Sequence, residues 1–397
     1  MDSPLNNFMK ALIISNHTYP GRALIQLISI LTNCEVEIDL YVDSSKNGCI
    51  CPPGTTIYNV NNNSSSYKNI YFKVFPLWNF WESVIKRKSI KKDWDFIFVR
   101  ESLLANTALK IGHELNIPVF LDLRENRPDM ILANSFGLKR IMAFPYVKLV
   151  EIHEAIYFRQ LAHIFTVSNE LKQWVIKKYG IDAQYVTTLP NYPDSFNLQS
   201  AKKFKKQSYN NSGVLQIVFA GNVSFSRGLQ DVLPAIKLLK ATNKKVRLDI
   251  IGSGHFMNNL KTMASDLGIS NEVNFLDLVP PEMLMETLSL YDVGLASYCI
   301  NSHTNVTVPG KLFEYMAVGL PILSSARKSV IRLLDESKSG IVFYDRSPEE
   351  IASKIELLMD ASLRESLGQK GIHAIENLYN SGVNIRLMNE FLNSYFG

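Results

Sequence analysis

The sequence predicts an α/β protein of two domains, each carrying its own doubly wound parallel sheet. Three observations predict it. The chain has 397 residues, too many for one ordinary core and suited to two domains of roughly 150–200 residues each. Short β-rich apolar runs alternate with helix-length segments almost throughout, which is the pattern of βαβ units and parallel sheets. Twelve such runs occur, more than one ordinary sheet holds, and a stretch of linker composition divides them.

In the first half the candidate strands are Ala11–Ser15, Val36–Val42, Ile70–Phe75, Phe96–Val99, Val119–Leu123 and His163–Val167. In the second they are Leu215–Ala220, Val246–Ile251, Val273–Leu276, Val293–Ala296, Pro321–Ser324 and Gly340–Phe343. The dividing stretch, Asn191–Ser212, holds Pro193, the cluster Lys202, Lys203, Lys205 and Lys206, and the start of a polar Asn210–Gly213 run, with no core-forming period. This places a first domain over residues 1–195, a linker over 196–213 and a second domain over 214–380. The final segment, 381–397, has helical spacing at Ile385, Leu387, Met388, Phe391, Leu392 and Tyr395, and is expected to pack back toward the first domain. Asn61–Ser66 reads as an exposed loop, and no fixed-period repeat is present.

Composition narrows the function classes. Hydrophobic residues make up 46% and charged residues 20%, as in globular proteins. A net charge of +5 is too small to argue for nucleic acid and fits work beside anionic lipid or phosphate. Of the four cysteines, Cys34, Cys49, Cys51 and Cys299, only Cys49 and Cys51 are close-set, so neither a disulfide framework nor a zinc site is supported. The N-terminus lacks a basic segment followed by an apolar run, and no stretch approaches 18 uninterrupted apolar residues. The expectation is a cytoplasmic protein without signal peptide or membrane span.

Three segments of the second half carry chemistry. In Val214–Leu238 an apolar strand runs into Gly221, then a polar loop, Arg227-Gly228 and an amphipathic helix. A glycine after a strand lets backbone approach a ligand, a helix N-terminus offers free N–H groups, and the forked donors of Arg227 suit a diphosphate. The plainer alternative is a strand-turn-helix with a solvated arginine. Gly252-Ser253-Gly254 follows the next strand and starts a dinucleotide fingerprint that Met257 leaves incomplete. In Val308–Ser325, Lys311 and Glu314 stand three apart on one helical face near its positive end. Lysine there suits a phosphate and glutamate a ribose diol; an i,i+3 salt bridge is the competing reading.

The order Gly221-x5-Arg227-Gly228, strand-Gly252-x-Gly254, Tyr291-Asp292-Val293-Gly294-Leu295 and Pro309–Leu323 resembles the C-terminal domain of GT-B glycosyltransferases, and more narrowly family four, the group 1 glycosyl transferases. In the first half, Phe165–Ser168 with Leu171, and Leu189-Pro190-Asn191 with Asp194 and Phe196, are similar to family stretches more loosely. Pro309–Tyr315 resembles a PxKxxEY subgroup of enzymes that build bacterial surface polysaccharides. The resemblance implies two Rossmann-like domains facing each other across a cleft, and transfer of a sugar from a nucleoside diphosphate donor, UDP-linked, to a growing glycan. It implies that Arg227 and Lys311 meet the donor phosphates, that Glu314 holds the ribose, and that Gly221, Asn222, Gly252, Gly254 and Gly21 lie against the nucleotide. Three departures are visible: Val306 stands where the family often has the first of two glutamates, Asn222 where an arginine is common, and a single glycine, Gly21, where a pair is common.

If retention applies, as the family implies, the leaving diphosphate takes the acceptor's proton and the protein stabilises developing negative charge. No cofactor beyond the donor is then required, and no Asp-x-Asp pair suited to a metal is seen. The first domain would hold the acceptor. The loop Asn16–Gly21 follows its first strand and includes His17, which could substitute for the histidine many relatives carry near Asp122–Asn126 or be an ordinary exposed or structurally hydrogen-bonded loop histidine. Asp122, Arg124 and Glu125 at the end of the fifth strand suit sugar hydroxyls or the leaving phosphate, and equally suit a local ion-pair network. In Leu77–Lys92, Leu77, Trp78, Trp81, Val84 and Ile85 form a stripe flanked by Lys86, Arg87, Lys91 and Lys92. That arrangement fits an anionic membrane and a lipid-linked acceptor, or an ordinary surface helix. Two rivals share the fold: a sugar-nucleotide 2-epimerase, disfavoured by the sparse carboxylates and histidines, and a non-catalytic partner subunit.

Overall fold

A computed structural model of the chain describes residues 9–15, 22–42, 53–59, 93–135, 137–193, 199, 201, 203–204, 213–344 and 346–397. The expected strand Ile70–Phe75, the Asn61–Ser66 loop, the Leu77–Lys92 segment and the loop with His17 and Gly21 lie outside the described residues. The chain forms two compact units, Met1–Asn191 with Gly382–Gly397, and Tyr192–Ser381.

The first unit runs β1 (Met9–Ser15), α1 (Arg22–Asn33), β2 (Val36–Val42), β3 (Thr55–Asn59), β4 (Phe96–Val99), α2 (Ala105–Leu115), β5 (Val119–Leu123), α3 (Arg127–Ala133), α4 (Leu138–Tyr157), β6 (His163–Thr166), α5 (Asn169–Tyr179) and β7 (Val186–Thr188). Its strands form one sheet in the order β3-β2-β1-β4-β5-β6-β7, with every pairing parallel. The inner strands read as continuous apolar runs because helices cover both faces of such a sheet. Phe96, Phe98, Phe120 and Phe165 are fully enclosed and pack in tilted and edge-on ring contacts with centroids 5.3–5.6 Å apart. The two edge strands, β3 and β7, were not expected from the sequence. Each is short, and neither carries the apolar run that marks an interior strand.

The second unit runs β8 (Leu215–Ala220), α6 (Leu229–Ala241), β9 (Val246–Ile251), α7 (Met257–Asp266), β10 (Val273–Leu276), α8 (Leu284–Ser289), β11 (Val293–Ala296), α9 (Ser302–Val306), α10 (Lys311–Val318), β12 (Ile322–Ser325), α11 (Lys328–Ser337), β13 (Gly340–Phe343), α12 (Pro348–Leu357) and α13 (Ala361–Asn377). Its sheet order is β10-β9-β8-β11-β12-β13, again all parallel. Strand β12 starts one residue later than expected, because Pro321 has no N–H to give and supplies only its carbonyl, to Gly294 N at 3.0 Å.

The expected boundary needs correction. The second unit begins at Tyr192, whose ring packs 5.4 Å from both Phe313 and Tyr379. Ala201 and Phe204, inside the stretch read as linker, join the same core. A sparse apolar residue among lysines has no period, so this anchoring was not visible in the sequence. The last helix, α14 (Ser381–Phe396), packs in the first unit. Met388 and Leu392 are buried there, Phe391 meets Phe120 and Phe165 at 5.3 and 4.9 Å, and Asn384 donates to Pro190 O at 2.8 Å. Among the described residues no helix is long and apolar enough to cross a membrane.

Candidate functional site

In a doubly wound sheet the crevice opens where neighbouring strands send their connections to opposite sides, beyond the strands' C-terminal ends. In the second unit that place lies between β8 and β11. The two strands pair only at Val293–Ile217 and Gly294–Val218 and then separate. Tyr315 of α10 fills the split: its hydroxyl accepts from Ala220 N at 3.2 Å and donates to Leu295 O at 3.2 Å. Its ring lies on Gly294, where an added Cβ would stand 2.4 Å from a ring carbon. Two residues of separate sequence motifs are thus one packing unit, and that unit aims the start of α10 at the end of β8.

The first residue of α10 is Lys311. Its Nζ lies 3.5 Å from the centre of the Phe219 ring, is sealed from solvent and has no hydrogen-bond partner. A Cβ on Gly221 would sit 3.4 Å from that nitrogen, with Gly221 at φ +135°. Burial, then the positive charge of Arg227, push the Lys311 pKa well down, and Glu314 one turn along opposes them.

Arg227 ends a short turn of 3-10 helix, and Gly228, at φ +67°, opens α6. That turn is clamped to the segment after β11, since Cys299 N donates to Ser226 O at 2.9 Å and a Cβ on Gly228 would meet the Tyr298 carbonyl carbon at 3.1 Å. The clamp sets the Arg227 guanidinium 4.8 Å from the centre of the Tyr298 ring. A second guanidinium, Arg327, lies 4.1 Å from the same ring, and Lys311 Nζ lies 5.6 Å away. Arg327 is 1% exposed, donates to Thr304 O, and is pushed down to about 10 by burial. Arg227 Nε, Lys311 Nζ, and Arg327 Nε and Nη2 are all buried without a hydrogen-bond partner. Three cations gathered with unpaired donors is costly in an empty protein interior, and an anion is the group that satisfies it.

Sequence reasoning missed Arg327, Tyr298 and His303. Arg327 follows β12 by two residues and Tyr298 follows β11 by two; a basic or aromatic side chain just past a strand end was the available signal. His303 in α9 is pushed down to about 4 by burial, Arg227 and Arg327, so it is uncharged at neutral pH.

Gly252 and Gly254 have a structural reason beside any ligand. The loops after β8 and β9 run side by side, with Gly221 N donating to Ile251 O and Val223 N to Ser253 O. A Cβ on Gly252 would fall 1.9 Å from Gly221 O, and one on Gly254 2.0 Å from Val223 O. Asn222 between them is exposed.

In the first unit the switch point lies between β1 and β4. Beyond β4 and β5 is a pocket of about 220 Å³ lined by Arg100, Glu101, Ser102, Arg124, Glu125 and Arg127. Asp122 has no exposed surface and lies beneath it, 2.6 Å from Arg124 Nε and 3.7 Å from Arg100 Nη1. Its carboxylate therefore orients the two guanidiniums instead of reaching into the pocket. Arg124 is further held by Asn191, and Arg127 by Glu101 at 3.1 Å. Arg100 is pushed down to about 10, by burial above all, and its Nη1 has no hydrogen-bond partner. Among the described residues, no three His, Cys, Asp or Glu side chains gather as a metal site.

Residues 200–374 match the family of glycosyl transferases group 1. An uncharacterized glycosyltransferase of Methanocaldococcus jannaschii is 21% identical over 339 residues, covering 80% of this chain and 81% of its own. Among solved structures, sucrose-phosphate synthase from Thermosynechococcus elongatus superposes with a TM-score of 0.76 at 14% identity, over 98% of this chain and 99% of that one. Anabaena HepE, solved in complex with UDP, gives 0.72 at 14%, over 97% and 100%. Residues 200–374, which span the cation cluster, thus match the group 1 glycosyl transferases, and the two parallel-sheet units share the GT-B fold of these solved neighbours.

Proposed function

We propose that the second unit binds the diphosphate of a UDP-sugar through Arg227, Lys311 and Arg327, and that the enzyme transfers the sugar with retention to a growing bacterial surface glycan. The observation that carries this reading is the set of four unpaired buried nitrogens on three cations around Tyr298. UDP is favoured by the complex of Anabaena HepE, and the polysaccharide role by the resemblance of Pro309–Tyr315 to the PxKxxEY pattern. In this reading Glu314 accepts from the ribose diol, Gly221, Asn222, Gly252 and Gly254 let the nucleotide lie close to backbone, and uncharged His303 serves the sugar ring in place of the glutamate absent at Val306. As the bond from the anomeric carbon to the diphosphate oxygen breaks, the acceptor hydroxyl forms the new bond on the same face and its proton passes to that oxygen. Arg227, Lys311 and Arg327 hold the charge that develops. The acceptor is assigned to the first unit, with Arg100, Arg124 and Glu125 as its contacts and Asp122 as their positioning group. Its lipid-linked form would bring the enzyme to the cytoplasmic face of an anionic membrane.

A thermal-shift screen against UDP, GDP, dTDP and CMP, followed by sugar turnover with the best nucleotide, tests the donor. UDP at 100 times its Kd is expected to add about 2.7 kcal/mol of stability, and no response to any nucleoside diphosphate would overturn the assignment. Glu314→Ala is expected to weaken UDP and uridine alike, by roughly 1.5–3 kcal/mol; unchanged affinity in a folded variant removes it from the ribose site.

Proton linkage gives an independent check. Without an anion, burial and Arg227 favour neutral Lys311. A bound diphosphate raises its pKa, so binding takes up protons and affinity falls as pH climbs through the range between the depressed and the raised values. Calorimetry in buffers of different ionisation enthalpy should show this uptake, and Lys311→Met should abolish it.

A further inference from the structure

Helix α4, Leu138–Tyr157, buries one face and, among the described residues, leaves an apolar face exposed. Val147, Val150, His153 and Glu154 are buried in the first unit. On the opposite side Leu138, Ile141, Met142, Leu149, Ile152 and Ile156 are 72, 70, 64, 42, 56 and 51% exposed. Their spacing of three, one, seven, three and four residues keeps all six within one stripe of a helix with 3.6 residues per turn. Phe144, 53% exposed, stands at its margin with Lys148 Nζ 5.5 Å from the ring. Single exposed apolar residues are ordinary; a continuous stripe along a whole helix marks a contact surface.

We propose that this outer face of α4 docks the enzyme on an anionic lipid surface. The charge pattern selects that occupant. From Leu138 to Val150 every charged side chain of the helix is a cation, namely Lys139, Arg140 and Lys148, and all three are exposed. The first acid, Glu151, is matched by Lys148 at 2.7 Å and by Lys178 at 2.6 Å. The second of these ion pairs brings the C-terminal turn of α5, with exposed Lys177, to the same flank. Lys148 borders the stripe, while Lys139 and Arg140, the latter donating to Leu132 O at 3.3 Å, stand exposed on the helix's first turn. An apolar stripe with cations at its border and end lies in the interfacial plane, its apolar side chains among acyl chains and its cationic groups at headgroup depth. A second copy of the chain fits less well. Eighteen steps of 1.5 Å make the stripe about 27 Å long and about 10 Å wide, roughly 300 Å², well short of the roughly 800 Å² each partner gives to a stable interface. Two such faces would also oppose like charges.

The inference rests on the reading that the enzyme works at a membrane face, and its test is independent of donor chemistry. The full chain is sedimented with vesicles of neutral phosphatidylcholine, with and without 30 mol% (about a third) anionic phosphatidylglycerol. Binding should rise with anionic lipid and fall with salt. Ile141→Gln with Ile152→Gln should lower partitioning at least about tenfold, since two deep apolar anchors are lost. Lys139→Gln with Arg140→Gln should remove most of the dependence on anionic lipid. All four positions are exposed, so UDP thermal shifts should match wild type and report a sound fold. Vesicle binding unchanged in both variants overturns the proposal, as does loss only when Lys86, Arg87, Lys91 and Lys92 are neutralised. A concentration-dependent dimer that the isoleucine variants dissolve would make the face a self-interface and also overturn it. Lipid binding that persists while no nucleotide binds would leave this docking surface standing and remove the donor reading alone.

Discussion

Alanine at Arg227 or at Lys311 is expected to lower kcat/KM by about 10²–10³, the range for loss of one preorganised charge-stabilising donor. Both groups face the Tyr298 ring, at 4.8 and 5.6 Å, and burial together with the charge of Arg227 pushes the Lys311 pKa well down in the absence of an anion. Negative charge grows on the leaving diphosphate as the sugar departs, so each cation should matter more to the transition state than to donor binding. The loss should therefore appear mainly in kcat. The double variant should lose less than the product of the single losses, because groups that share one charge are not additive. Simple multiplication would indicate two separate sites, and near wild-type turnover in both single variants would remove the diphosphate assignment. Lys311→Met carries a second signature. It replaces a sealed, unpaired amino group with an isosteric apolar chain, so the inactive variant is expected to melt higher than wild type.

The second large effect is on the fold. Gly294→Ala puts a methyl group 2.4 Å from Tyr315 Cδ2 and 2.5 Å from its Cγ. Tyr315 has no exposed surface and is tied by its hydroxyl to both β8 and β11, so the ring has nowhere to retreat. Overpacking of a well-filled core costs about 1–3 kcal/mol, or roughly 2–4 °C of Tm per kcal/mol in a unit of this size. Gly294→Val should exceed that and leave little folded protein. Tyr315→Phe is the milder probe. It keeps the ring and leaves Ala220 N without its partner, at a cost of about 1–3 kcal/mol. Because Ala220 immediately precedes Gly221, the same variant should weaken UDP binding. A Tyr315→Phe enzyme with wild-type Tm and affinity would show that the hydroxyl bridge does not hold the site.

The sequence by itself determined the two-sheet α/β plan, since apolar β-rich runs and helical periods are local signals that survive in one dimension. It also determined Arg227, Lys311 and Glu314 as candidates, because a basic residue before a helix-opening glycine and a Lys-x-x-Glu at a helix start are readable from spacing alone. It did not determine β3, β7 or the anchoring of Tyr192, Ala201 and Phe204, whose order comes from partners far along the chain. Only the tertiary structure decided that Arg327 joins Arg227 and Lys311 around one tyrosine ring, and that Asp122 lies beneath its pocket as a support. Only it showed that α4 carries an apolar stripe on the side the core does not use, because a helical period in sequence cannot say which face is buried. The physical reason is common to all of these. Convergence of side chains depends on which strand ends the sheet order brings together, and burial depends on what else occupies the space; neither is a property of neighbouring residues in the chain.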